Sequence, residues 1–440
     1  MSILLSQKLR FTVAFATLFL ISFASNSVYT RSGSKHLAQK HPSVEENFAL
    51  PQQQMTLALN QANQMNPFIV QQTSYQNTGE QNTPSSTRQD LVLGTPSYRV
   101  IDELQNYKFS IYGSDILTPG KLPTVKVDFN QANLLTVLVN TTKYFQEYSN
   151  QDPQILRTGL LGTQGITVQD ILNTLDFMIA ILQEDIANGR HTRLQDPNFI
   201  NTHFRVIKWS ASNPQNPGQK KLRITKYAVF THRGSHTKTS TFNTPLYSLK
   251  SNIGSNKFYT KYTKQDVLSG IYEPSGKEQG KVEPIAYLTR NGLEEALMEG
   301  TILVNFTDGS KAFFNIDRNN EMPYIRGLPA REQKRYWYFR QVDAIKGYGY
   351  KIDAKISILP GVTFAGDVLN IGLGKVIMTE YTQGGRKHLH LGVIADTGGA
   401  FLPNLYQLDF LAGIFQNQKD FEQHSSELPD YMTAYILVKK

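Results

Sequence analysis

The chain has 440 residues, enough for two or three domains, and with 40% hydrophobic and 18% charged residues most of it is expected to bury real cores. It contains no cysteine, which excludes disulfides, cysteine-based zinc sites and a cysteine nucleophile. A formal net charge of +9 favours an anionic partner, whether nucleic acid, a lipid surface or an acidic cell-wall polymer.

Residues 1–24 carry Lys8 and Arg10, then an apolar run over 11–24 in which Ser22 and Ala24 suit cleavage. This reads as a secretory signal peptide, because the run is shorter than the ~20 residues of a membrane span. Residues 25–95 are rich in Gln, Asn, Ser and Thr, with Pro51, Pro67 and Pro84 among them. Too little apolar side chain is present there to form a core, so a disordered tether is expected.

The pattern turns helical after residue 96. Thr167 with Asp170 three residues on has the form of a capping box, followed by Ile171, Leu172, Leu175, Met178, Ile179 and Leu182 at helical spacing. Leu134, Val137, Leu138 and Phe145 predict an earlier helix with the same kind of core-facing stripe. From residue 204 the chain reads as strands and turns, beginning with the apolar alternation at 222–230, which includes Tyr227. A short helix is expected at 291–297, then Glu299-Gly300-Thr301 leading into a strand that turns at Asp308-Gly309. Residues 331–340 are basic and aromatic, suited to stacking on sugars or bases, or to alternating between core and solvent. No nucleic-acid motif accompanies them, so no nucleic-acid partner is expected.

The most informative stretch lies near the C-terminus. An apolar run at 391–395 delivers Asp396 to the turn Thr397-Gly398-Gly399-Ala400, and a second short run delivers Asp409 between Leu408 and Phe410. Upstream, Asp367 precedes the glycine-rich Leu369-Asn370-Ile371-Gly372-Leu373-Gly374. A carboxyl flanked by large apolar side chains is placed to hold its proton near neutrality, as a general acid must.

This constellation resembles the three-aspartate barrel of the membrane-bound lytic transglycosylase A (MltA) family, over roughly residues 129–440. The resemblance implies a mainly β fold: a double-psi β-barrel with an inserted smaller β domain, preceded by an N-terminal helical segment. Its expected parts are a helical lead-in and first part of the barrel at 96–234, the inserted domain at 235–330, and the rest of the barrel at 331–440. It implies a cofactor-free, metal-free enzyme, monomeric and exported to the periplasm or cell envelope. Its partners would be peptidoglycan glycan strands, with envelope proteins as further candidates. Family members are often anchored through a lipoprotein cysteine, which this chain lacks. Asp409 would be the catalytic acid and base and Asp396 its catalytic neighbour, with Tyr227, Glu299, Gly300, Thr301, Asp367, Gly398 and Gly399 as substrate contacts. The chain departs from the family pattern at Ala228-Val229, Glu299-Gly300-Thr301 and Leu402-Pro403-Asn404, and lacks a helical insertion after Asp317.

Three other readings stay open on the residues. Asp396 and Asp409 could be the acid and base of a conventional glycan hydrolase, if about 6.5–9.5 Å separates their carboxyls. A protein that holds peptidoglycan without cutting it, or serves in envelope assembly, would also fit the altered segments. An aspartic protease needs two Asp-Thr-Gly loops sharing a proton, and here there is one. His388 and His390 fall on one face of a strand, as a metal pair would, but without an evident third ligand a solvated barrel edge is expected.

Overall fold

Thr167 does cap a helix: its side chain accepts from the Asp170 amide while the Asp170 carboxylate takes the Thr167 amide, and the helix Val168–Ala187 follows. The computed structural model describes residues 97–250, 257–325, 327–401 and 403–440. The expected signal peptide at 1–24 and tether at 25–95 lie outside the described residues. The earlier helix spans Gln131–Tyr148 and buries Leu134, Val137, Leu138 and Phe145 as its spacing predicts.

Among the described residues there are sixteen strands in chain order. They are β1 (Ser97–Ile101), β2 (Tyr107–Tyr112), β3 (Leu117–Pro119), β4 (Val127–Asp128), β5 (Phe204–Trp209), β6 (Leu222–Ser235), β7 (Thr244–Leu249) and β8 (Val282–Leu288). The rest are β9 (Thr301–Phe306), β10 (Lys311–Asn319), β11 (Trp337–Val342), β12 (Thr363–Ala365), β13 (Val376–Gln383), β14 (Arg386–Asp396), β15 (Gln407–Phe415) and β16 (Tyr431–Lys439). Strands β1 and β2 form a separate hairpin, and the other 14 join in one sheet. Within it the pairing β6-β15-β12-β14-β13-β16 returns to β6, so six strands close a ring. The return is short, through Tyr431 opposite Arg223 and Met432 opposite Leu222. Two pairings inside the ring are parallel, β12 with β14 and β6 with β15. At Gly392 the strands cross so closely that a Cβ would stand 2.6 Å from the Val362 carbonyl oxygen, a spacing only glycine allows.

The expectation of a mainly β chain gives way to a mixed α/β, strand-rich fold. The reason is packing: Leu134, Leu138, Leu175 and Leu182 of the two long helices share one buried cluster with Val376, Leu391, Ile394, Leu408 and Ile436 of the ring. The helical segment is therefore a wall of the main core. A second cluster gathers Leu246, Tyr272, Leu288, Leu293, Val304 and Phe314 around β7 to β10. The Asp308-Gly309 hairpin joins β9 to β10 there, with Lys311 opposite Asn305. Tyr336, Tyr338 and Phe339 of the aromatic run are fully buried in this second cluster, not in the main one. Strand β11 pairs with β10, which turns its apolar face that way.

Candidate functional site

Strand pairing puts the carboxylates in one row. Ala365 on β12 lies opposite Asp396 on β14 and Asp409 on β15, and Asp409 in turn lies opposite Thr225 on β6. Asp396 and Asp409 are thus two strand spacings apart, about 9–10 Å between backbones. Register slips between Phe364 and Ala365 so that Ala395 is the extra residue of a bulge. Bulges re-aim the side chains beside them, and here the one re-aimed is Asp396.

The two half-buried carboxyls are held differently. Asp396 accepts from the Tyr227 hydroxyl at 2.7 Å and from the Thr397 amide at 2.8 Å. Burial pushes it up to about 6, opposed by those two donors and by the Lys355 ammonium nearby. Asp409 has a single long bond, from the Gln407 side-chain amide at 3.4 Å. Burial pushes it, too, up to about 6, with Gln407 and Arg223 pulling down and the negative Asp396 pushing up. Hydrogen bonds to the charged form favour it, so the two carboxyls differ in what opposes burial: two short donors at Asp396 and one long one at Asp409. The Tyr227 phenol is raised well above its ordinary value, by burial first and then by the two carboxylates, so it stays a donor.

Asp367 is elsewhere. It is fully buried, accepting from the Asn370 amide and side chain and from the Asn404 amide, each at 2.9 Å. Asp367, expected as a substrate contact, is thus closed under its own loop. Burial raises it to about 6 as well, against these three donors. Asn370 also pairs with both backbone groups of Ile101, so Asp367 ties the β1–β2 hairpin to the loop that leads into β15.

The segment at 299–301 is mostly occupied by the protein itself. The Glu299 carboxyl meets buried His232 at 3.1 Å and is raised by burial, which His232 opposes. The Thr301 hydroxyl accepts from the Asn315 side chain at 2.7 Å. That leaves Gly300, where an added Cβ would meet nothing within 4 Å; the same holds at Gly399, and at Gly398 it would stand 3.9 Å from the Phe401 ring. These three glycines carry no positive φ, so the chain's own geometry does not demand them.

Sequence reasoning missed Asn315, Lys355 and Gln407. Lys355 donates to Asn315 at 2.6 Å, and Asn315 donates to the Gly300 carbonyl and Thr301, which links the second core's edge to Asp396. Burial lowers Lys355, while Asp396 and Asp317 oppose the shift. Gln407 was legible, since it lies two residues before Asp409 on a strand of period two. Nothing local marks Lys355. The histidines are accounted for structurally: His390 contacts the Gly361 carbonyl at 2.8 Å, and His388 stacks on Tyr381. His390 is packed edge-on against Phe410, while Arg386 and Lys387 beside His388 are exposed.

No protein-family model matches the chain, and no curated protein sequence matches it. Solved structures do match over most of its length, and those named here are lytic transglycosylases. Escherichia coli MltA with bound chitohexaose is 17% identical with a TM-score of 0.47, covering 74% of this chain and 94% of that one. A membrane-bound lytic murein transglycosylase from Agrobacterium tumefaciens is 15% identical with a TM-score of 0.47, covering 72% and 98%. MltA from Neisseria gonorrhoeae is 12% identical at 0.46, covering 68% and 87%. At these values the likeness lends no weight to a function, and the residues of the site must carry it.

Proposed function

We propose that the chain is a peptidoglycan lytic transglycosylase that cuts the MurNAc-GlcNAc bond and leaves a 1,6-anhydro-MurNAc end. The observation that carries this reading is the inequality of the aspartates: one carboxyl with a single long hydrogen bond beside another bonded by Tyr227 and Thr397 with the Lys355 ammonium nearby. A lone acid of that kind suits a reaction that uses no water. Asp409 gives its proton to the glycosidic oxygen as the C1–O bond breaks. Its carboxylate then takes the proton of the C6 hydroxyl as that oxygen bonds to C1. Asp396 keeps Asp409 protonated before the step, and its charge faces the developing oxocarbenium ion.

The finer structural reading goes with the chemistry. The closed six-strand ring with two parallel pairings supports a double-psi barrel, and the second core supports an inserted domain across a groove from Asp409. Gly300, Gly398 and Gly399 would line the groove as surfaces a glycan strand approaches. Export to the envelope, as a monomer, completes the reading.

A two-carboxylate hydrolase is the second reading, favoured by one observation: a backbone separation of two strands leaves room for a water between the carboxyls. Incubation of purified sacculi with the protein separates the cases by mass spectrometry of what is released. Anhydro-muropeptides are expected; reducing ends would mean the hydrolase, and sedimentation with sacculi without release would mean a binding protein.

A further inference from the structure

The loop between β11 and β12 doubles back on itself, with the Gly347 amide donating to Ile356, the Ile356 amide to Tyr348 and the Ile358 amide to Ile345. It docks on the bulge that aims Asp396, because the Tyr348 amide donates to the Ala395 carbonyl at 3.0 Å. Gly349 lies so close against Lys355 that a Cβ would stand 2.6 Å from its Cα, so the residue beside Tyr350 abuts the lysine whose charge acts on Asp396. The tip is pinned to the second core by Arg340, which pairs with Asp353 at 2.6 Å.

On the outward side this loop builds a run of tyrosines. The Tyr144 and Tyr348 hydroxyls both donate to the buried Asp152 carboxylate at 2.9 Å, and the Tyr350 amide donates to the Tyr144 oxygen at 3.0 Å. Rings then follow one another from Tyr348 to Tyr144 to Tyr148 to Tyr350, at centroid distances of 5.7, 5.1 and 5.8 Å. The run ends at the surface, where Tyr350 is 39% exposed. A buried carboxylate bonded by two phenols is an expensive way to hold a loop, and nothing in the acid chemistry uses it. Its effect is to fix the backbone of an exposed aromatic ring on the loop that docks at Ala395, so little rotamer or loop freedom remains to be lost when something stacks there.

We propose that Tyr350, backed by Tyr148, is a carbohydrate-stacking shelf that holds a pyranose ring of the glycan strand away from the scissile bond. The apolar face of a sugar ring matches the face of a phenol ring; the Lys351 ammonium now lies over the Tyr350 ring, 5.2 Å from its centroid, and would swing off that face to meet a carboxylate of a peptide-substituted strand. That the strand reaching the shelf is also the one cut at Asp409 rests on the transglycosylase reading.

The test measures binding of chitohexaose and chitobiose to the full chain by calorimetry, for wild type, Tyr350→Ala and Tyr350→Trp. Tyr350→Ala should weaken chitohexaose about tenfold and leave chitobiose unchanged, and Tyr350→Trp should restore the longer ligand. Wild-type affinity in Tyr350→Ala, equal losses for both ligands, or no binding of chitohexaose by wild type would each overturn the shelf. Its failure is separable from that of the transglycosylase reading. Anhydro-muropeptide release by a Tyr350→Ala protein with undiminished chitohexaose affinity sinks the shelf alone. Tyr350-dependent binding by a wild type that releases nothing from sacculi sinks the transglycosylase alone.

Discussion

Asp367 and Asp409 arise in similar settings, each at the end of a short apolar run, and burial pushes both to about 6. They differ in what they are bonded to. Asp367 takes three donors at 2.9 Å and is fully buried, whereas Asp409 takes one at 3.4 Å and is half-buried. A raised carboxyl is therefore no sign of chemistry until its hydrogen bonds are counted: the first is a knot in the backbone, and the second is left with the single long bond that the proposed acid role needs. Asp396 lies between these cases, well bonded yet half-buried.

The comparison breaks most visibly at Asp409. Replacing it with Asn removes the group proposed both to give and to take the proton, so turnover on sacculi should fall by at least about 100- to 10,000-fold with the fold intact by circular dichroism. Wild-type turnover in that variant would mean that the acid is another residue. Asp396→Asn should cost less, because the amide still bonds Tyr227. A loss as large as at Asp409, with reducing-end products, would identify a hydrolase pair.

Asp367→Asn should leave kcat nearly untouched and lower stability by about 1–3 kcal/mol, since an amide NH2 would face donors that now meet carboxylate oxygens. Urea unfolding beside sacculus turnover reads both quantities, and a kcat effect without a stability effect would contradict the structural role.

The pH profile sharpens the contrast further. Activity should decline as pH rises through about 6, as Asp409 loses its proton. Stability should move in the same direction: folded values of about 6 stand above the ordinary 3.8 for all three carboxyls. Their contribution is then fully present below pH 3.8 and lost as pH rises through about 6. In Asp409→Asn the slope of unfolding free energy against pH should be shallower over that window; an unchanged slope would mean that Asp409 titrates like a solvated carboxyl.

The smallest expected change is at Lys355. Its replacement by Met removes a cation that opposes the upward shift of Asp396, so the acid limb of the activity profile should shift upward by a fraction of a pH unit, with the fold retained. A rigid profile would remove Lys355 from the site.

Much of this molecule is legible wherever a local period or a local hydrogen bond decides the outcome. The capping box at Thr167, the stripes of the two long helices, the Asp308-Gly309 hairpin and the strand leading to Asp396 depend on residues within a few positions of one another. The candidate aspartates were visible for the same reason, as carboxylates at strand ends beside glycine turns. Which of them is sealed and which is left underbonded was not, because Asp367 is closed by Asn404, 37 residues away, and Asp396 is held by Tyr227, 169 residues away. The arrival of Lys355 and Asn315 at the site and the outward run of tyrosines likewise depend on how the second core and the helices pack against the ring. Side-chain period states which face a residue occupies; what stands opposite that face is set by contacts between distant segments.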